Sequence, residues 1–310
     1  MRRSVFARVL SVKLGLLIVL ALLASSCCAL GIHQTHANSI PRSVVDAHLS
    51  DPFEGHLVYV FGDVAHDPPV LLLHELPGFT PQAWRLAESL AKEHFAVYVP
   101  LLFGSAGASV GKATMLRVIL SPSWRGFRTH QTAPIADMLT RLAQKIHDGN
   151  RRPIGVVGMC LTGNLPAALR GRLTFAEAVV VAQPSLPYCN QKDIALSQSD
   201  IDGANARTVP FLFFRFAGDQ VSEGKQNGFV SSFHTLVDVE ELVPAPLANG
   251  HFRHATLTSE LFDDTLTMIG DPNACHYDPN GKLLPDSLTT ACAYDKVRRY
   301  LHQRLDGNSK

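Results

Sequence analysis

Short continuous apolar runs alternate along this chain with longer amphipathic stretches, the arrangement of buried parallel strands separated by helices that cover them. His56 to Phe61 alternates enough to be an edge strand, and Val70 to Leu73 is apolar throughout, as a central strand requires. Thr80 and Pro81 open a helix that runs to Lys92, with the threonine as N-cap and the proline in the first turn. Phe95 to Pro100 is the next strand, and Ala133 to His147 is an amphipathic helix. Pro153 to Val157 reads as a short buried strand followed by a helix from Asn164 to Arg172. Phe211 to Ala217 and Val237 to Val243 are further strands. Ile40 to Pro52 reads as a linker or entry segment. The tail is expected to hold a helix near Leu257 to Met268, a polar loop, and a last helix from about Ala293 to Leu305. The fold class is therefore α/β, with a mostly parallel central sheet and helices on both faces.

Composition changes that picture little. The chain has 310 residues, 46% of them hydrophobic, and a net charge of +1, enough for one large core. A balance so near neutrality argues against a nucleic-acid partner, which needs a basic face. The N-terminus is different in kind. Arg2, Arg3, Arg8 and Lys13 precede an apolar run from Leu14 to Ala24, the layout of a signal peptide. The uncharged stretch continues through Cys27 and Cys28 to Ile32, so a retained membrane anchor or a lipidated leader stays open. Residues 1–38 are read as this leader and 39–310 as a single domain with a C-terminal helical extension. The body is then expected outside the cytoplasm, whether periplasmic, secreted or membrane-anchored. Cys275 and Cys292 bracket a polar loop and are expected to form a disulfide, leaving Cys189 as a buried free thiol.

The chemistry centres on Gly158-Met159-Cys160-Leu161-Thr162-Gly163, between the Pro153–Val157 strand and the helix after it. Small residues around such a turn let the chain reverse sharply and expose the central side chain on a strained backbone. The N–H of Leu161 would then face an oxyanion, and a helix N-terminus favours a thiolate at Cys160. Asp219 follows the Phe211 strand, and His251, with His254 as its competitor, follows the Val237 strand. Nucleophile, acid and histidine in that order is the chain order of α/β-hydrolases.

The sequence resembles the dienelactone hydrolases over roughly Leu57 to Ala255, by its Cys160 turn and by His74-Glu75 after an early strand. That resemblance implies a Cys160-Asp219-His251 triad joined by Glu75, which contacts the thiol and takes part in activating it. It also implies that the backbone N–H groups of Leu76 and Leu161 form the oxyanion hole. Two positions depart from the family's pattern. Thr162 stands where the family has glycine, and Ala255 stands where its dienelactone enzymes carry a carboxylate-binding arginine. Arg125, Arg128 and Arg253 are candidate contacts for a substrate carboxylate. The short spacing of His251 and His254 gives no metal set, and no cofactor is expected.

The leading expectation is an exported hydrolase of small carboxylic esters or lactones that works through a thiolester acyl-enzyme. The alternative is a membrane-tethered binding protein on the same scaffold, prompted by Thr162 and Ala255. A redox thiol pairing Cys160 with Cys189 is weaker, because the chain has no C-x-x-C. The sequence leaves the oligomeric state open.

Overall fold

The computed structural model describes residues 39–310 apart from 77, 108–117, 119–120, 125–130, 188–192, 234–236, 243–257, 259–260, 264 and 308–310. Its strands are β1 (Val58–Phe61), β2 (Pro69–Leu73), β3 (Ala96–Pro100), β4 (Ile154–Met159), β5 (Ala176–Ala182), β6 (Phe211–Phe216) and β7 (Val237–Leu242). They form one 7-stranded sheet in the order β1-β3-β2-β4-β5-β6-β7. The edge strand β1 runs antiparallel to β3, and every other pairing is parallel. The expected architecture is the one observed.

The helices are α1 (Arg42–Ala47), α2 (Pro81–Lys92), α3 (Ile135–Asn150), α4 (Leu165–Arg172), α5 (Gln198–Asn205), α6 (Gln220–Ser232) and α7 (Thr290–Leu305). Side chains along a strand point alternately to opposite faces, so β2 feeds two separate cores. Leu71 and Leu73 join a core with Leu139 and Leu142 of α3 and Leu169 of α4. Val70 and Leu72 join the opposite core with Trp84 and Leu90 of α2 and Leu301 of α7. Caps set the helix starts: the Thr80 side chain accepts from Ala83 N–H, and that of Thr289 accepts from Cys292 N–H. Gly155 in β4 lets α7 lie close, since a Cβ there would stand 2.9 Å from Leu301 Cδ2.

Four features depart from expectation. The segment read as a linker holds α1, whose Val45 is buried while Arg42 pairs with Asp46 on the solvent side at 2.9 Å. Strand β5 and helices α5 and α6 add to the elements read from the sequence. The described part of the expected Leu257–Met268 helix is helical only at Thr258 and Leu261. Beyond Leu261 the chain turns, with Phe262 bridging Met268. There Asp263 Oδ1 accepts from the N–H groups of Thr265 and Thr267, each at 2.9 Å, and this local bonding competes with helix formation. Finally, the last helix begins at Thr290, earlier than Ala293, because Thr289 caps it.

Cys275 and Cys292 are joined as a disulfide with a Cα–Cα distance of 5.5 Å. Among the described residues no helix is long and apolar enough to cross a membrane.

Candidate active site

Strand β3 lies to one side of β2 and β4 to the other, so the connections leaving β2 and β3 run in opposite directions. The carboxyl ends of β2 and β4 meet at this reversal, the position at which open α/β sheets bind ligands. Register makes the juxtaposition specific. Leu73 pairs with Gly158, so Glu75 and Cys160 each stand two residues beyond the same rung.

Cys160 begins a 3-10 turn, Cys160–Thr162, with φ of 51°, a left-handed conformation rare for a residue with a side chain. Both flanking glycines are demanded by space. A Cβ on Gly158 would stand 2.6 Å from the Thr162 carbonyl oxygen, and one on Gly163 would stand 2.8 Å from Pro184 Cα. The thiol is free and buried. Its Sγ lies 3.5 Å from Ser185 Oγ, and the Cys160 carbonyl accepts from Ser185 N–H at 3.0 Å and from Gly163 N–H at 3.1 Å.

Thr162 is the departure that most threatened the turn, and its geometry shows what it does instead. Its Oγ1 accepts from Met159 N–H at 3.1 Å. The hydroxyl proton faces the carbonyls of Leu73 at 3.0 Å, Met159 at 3.0 Å and His74 at 3.3 Å. The threonine therefore ties the Cys160 turn to the end of β2, one residue before Glu75.

Glu75 is buried, and its Oε1 accepts a hydrogen bond from the hydroxyl of Thr258. His74 holds the segment beneath it. Leu102 N–H donates to Nε2 at 3.0 Å, which puts the ring proton on Nδ1, where it donates to the Glu75 carbonyl at 3.2 Å. Complete burial drives the His74 pKa down to about 4 against a smaller upward pull from the Glu75 carbonyl, so the ring is neutral. Leu76 and Leu161, the expected oxyanion donors, are both buried beside these two turns.

Asp219 follows β6 after Gly218, whose φ is 78°, and it is fully buried. Its Oδ1 accepts from Ser222 N–H at 3.3 Å, so the carboxylate caps α6 and sits at the positive end of that helix. The described residues thus bring Glu75 and Cys160 to adjacent strand ends and set Asp219 on the same edge of the sheet. His251, Arg125, Arg128 and Arg253 lie outside the described residues, as does Cys189.

Ser185, Thr258 and the anchoring role of His74 add to the residues read from the sequence. Ser185 follows the apolar run Ala178–Ala182, and recognising that run as a strand beside β4 is the signal that points to it. Thr258 has no comparable local mark. Among the described residues no group of three or more His, Cys, Asp or Glu is placed to hold a metal ion.

A profile of the dienelactone hydrolase family matches residues 57–220, more than half of the 310-residue chain. Similar solved structures include a dienelactone hydrolase from Anabaena variabilis, 12% identical, covering 88% of this chain and 100% of that one, with a TM-score of 0.46. Another is a dienelactone hydrolase-like promiscuous phosphotriesterase from metagenomic libraries, 17% identical, covering 81% and 93%, with a TM-score of 0.48. A comparison with curated proteins finds no match.

Proposed function

The chain belongs to the dienelactone hydrolase family and is a hydrolase; we propose that it cleaves small carboxylic esters or lactones with Cys160 as its nucleophile. The observation that carries this reading is the left-handed Cys160 at the end of β4, level with Glu75 at the end of β2. That conformation is costly, and a strained turn of this kind is how a nucleophile is presented at the carboxyl end of a parallel sheet.

In the proposed reaction Cys160 Sγ attacks the carbonyl carbon and its proton passes to His251, which Asp219 orients. The backbone N–H groups of Leu76 and Leu161 stabilise the oxyanion. The alcohol departs with the proton from His251 and leaves a thiolester. His251 then takes a proton from water, the hydroxide attacks the acyl carbon, and the carboxylic acid and the free thiol are released. Glu75 takes part in activating the thiol. Its tether to Thr258 gives that carboxylate a defined place when substrate enters. Arg125, Arg128 and Arg253 remain proposed contacts for a substrate carboxylate.

We also propose that the protein works outside the cytoplasm, with 1–38 as its leader. The Cys275–Cys292 disulfide supports this, because such bonds persist in oxidising compartments. The test of the nucleophile is Cys160→Ala in purified protein, assayed on acyl esters of graded chain length. Hydrolysis should fall by at least about a thousandfold. Retention of full activity would sink the reading.

A further inference from the structure

We propose that Ser185 is a further catalytic residue, its hydroxyl donating a hydrogen bond to the Cys160 sulfur as that atom becomes anionic; this rests on the reading of Cys160 as nucleophile. The position of Ser185 is set by the sheet. Strand β5 pairs in parallel with β4, Met159 opposite Ala182, so the residues leaving β5 run beside the nucleophile turn. Gln183 turns with φ of 42° while its N–H bonds the Phe214 carbonyl at 2.8 Å. Pro184 then passes so close to Gly163 that no Cβ fits between them, and Ser185 arrives against the sulfur.

The backbone and the side chain of Ser185 do separate work. Its N–H donates to the Cys160 carbonyl at 3.0 Å and braces the left-handed turn, a task that alanine would perform equally well. The hydroxyl adds something else. It lies 3.5 Å from Sγ in a site where neither residue meets bulk solvent. A neutral thiol is a weak acceptor, whereas a thiolate accepts strongly, and hydrogen bonds to ions are about twice as strong as neutral ones. The bond therefore strengthens as charge develops on sulfur and weakens when the sulfur is acylated. It strengthens again when the thiolate is expelled during deacylation. Ser185 forms no covalent bond and keeps its proton throughout; the proton lost by sulfur goes to the imidazole.

The experiment is Ser185→Ala in the full chain, which removes Oγ and retains the N–H. Alkylation of Cys160 by iodoacetamide at pH 7, followed by peptide mapping, should slow about tenfold, and its rise with pH should move up by about one unit. On p-nitrophenyl butyrate kcat should fall about tenfold with KM changed less than about twofold, the pattern of an interaction made at the reacting atom. A melting temperature near that of the wild type would show that the backbone brace survives. Unchanged alkylation with an unmoved pH profile overturns the proposal, even if kcat falls, because the hydroxyl would then act elsewhere. Cys160→Ala, run in parallel, separates the two ideas. If that variant stays active the nucleophile reading has failed, and if it is dead while Ser185→Ala matches the wild type, only the role of Ser185 has.

Discussion

One hydroxyl at Thr162 does work that the family's glycine cannot. It meets the N–H of Met159 and reaches the carbonyls of Leu73 and His74, so it locks β4 to β2 at the height of Cys160 and Glu75. Thr162→Val keeps the shape and deletes these bonds in a fully buried site, which should cost about 1–3 kcal/mol. Urea unfolding measures that loss, and kcat should fall as the turn loosens relative to Glu75. An unchanged midpoint would mean that the threonine ties nothing together. His74 makes a second prediction. Its folded pKa of about 4 lies below the 6.5 of the unfolded side chain, so between those values the unfolded chain binds more protons. Stability from this group is therefore full above pH 6.5 and is lost as pH falls toward 4, by on the order of 3 kcal/mol. His74→Gln keeps an acceptor for Leu102 N–H but cannot titrate. Its urea midpoint should decline less steeply than that of the wild type from pH 6.5 to 4.

At the start of helix α6 one acid has a structural role and a proposed catalytic one. Asp219 caps α6 through Ser222 N–H, and it is also the proposed partner of the catalytic histidine. The two roles separate by substitution. Asparagine caps helices about as well as aspartate, so Asp219→Asn should leave the melting temperature nearly unchanged while kcat falls about a hundredfold or more. Asp219→Ala should lose both, with about 1 kcal/mol of stability gone along with the activity. A melting temperature lowered in Asp219→Ala but not in Asp219→Asn, with activity preserved in both, would make Asp219 a cap alone. Helices α4 and α5 meet on a different device. A Cβ on Gly171 would stand 2.2 Å from the Asp200 carbonyl oxygen, and one on Gly203 would stand 2.2 Å from that of Gly171. Bare backbone at this crossing holds α4, the helix that leaves the Cys160 turn, against the helix that comes after the Ser185 segment.

The C-terminal extension is bound to the sheet by charge as well as by apolar packing. Lys296 of α7 reaches Asp238 at 2.7 Å and also contacts the buried Glu240, both on β7. Asp295, buried beside it, accepts from Tyr277 at 2.7 Å and from Arg299 at 2.7 Å. Its carboxyl is held below the ordinary carboxylate range: burial, the largest single influence, pushes it up, but these hydrogen bonds and those from Arg298 together outweigh that cost. The disulfide closes this region across a separation of 17 residues. A loop of that size corresponds to about 3 kcal/mol in the chain-entropy account. Denaturation with and without reductant should show a loss of that order, reproduced by Cys292→Ser, with specific activity of the folded protein retained. A reductant-insensitive midpoint would mean that the salt-bridged network alone secures the extension.

What could be read directly from the chain was whatever depends on near neighbours in sequence. Apolar runs marked β2, β4 and β6, Thr80 marked the start of α2, and two cysteines around a polar loop marked their own bond. Gly158 before Cys160 announced a strained turn because crowding there comes from Thr162 and Pro166, in the same stretch of chain. The six-residue α1 escaped notice because its Pro41 N-cap makes no side-chain bond and only Val45 is buried. The turn after Leu261 escaped because one aspartate's hydrogen bonds outweigh a helical apolar pattern. The environment of the thiol depended on which strands became neighbours. Strand β2 lies beside β4 although β3 comes between them in sequence, and β5 closes the other side. Only that order brings Thr162 to the carbonyls of Leu73 and His74, Ser185 to the sulfur, and Thr258 to Glu75 across 183 residues of chain. Strand order is settled by packing both faces of the sheet at once, and no local pattern of residues carries it.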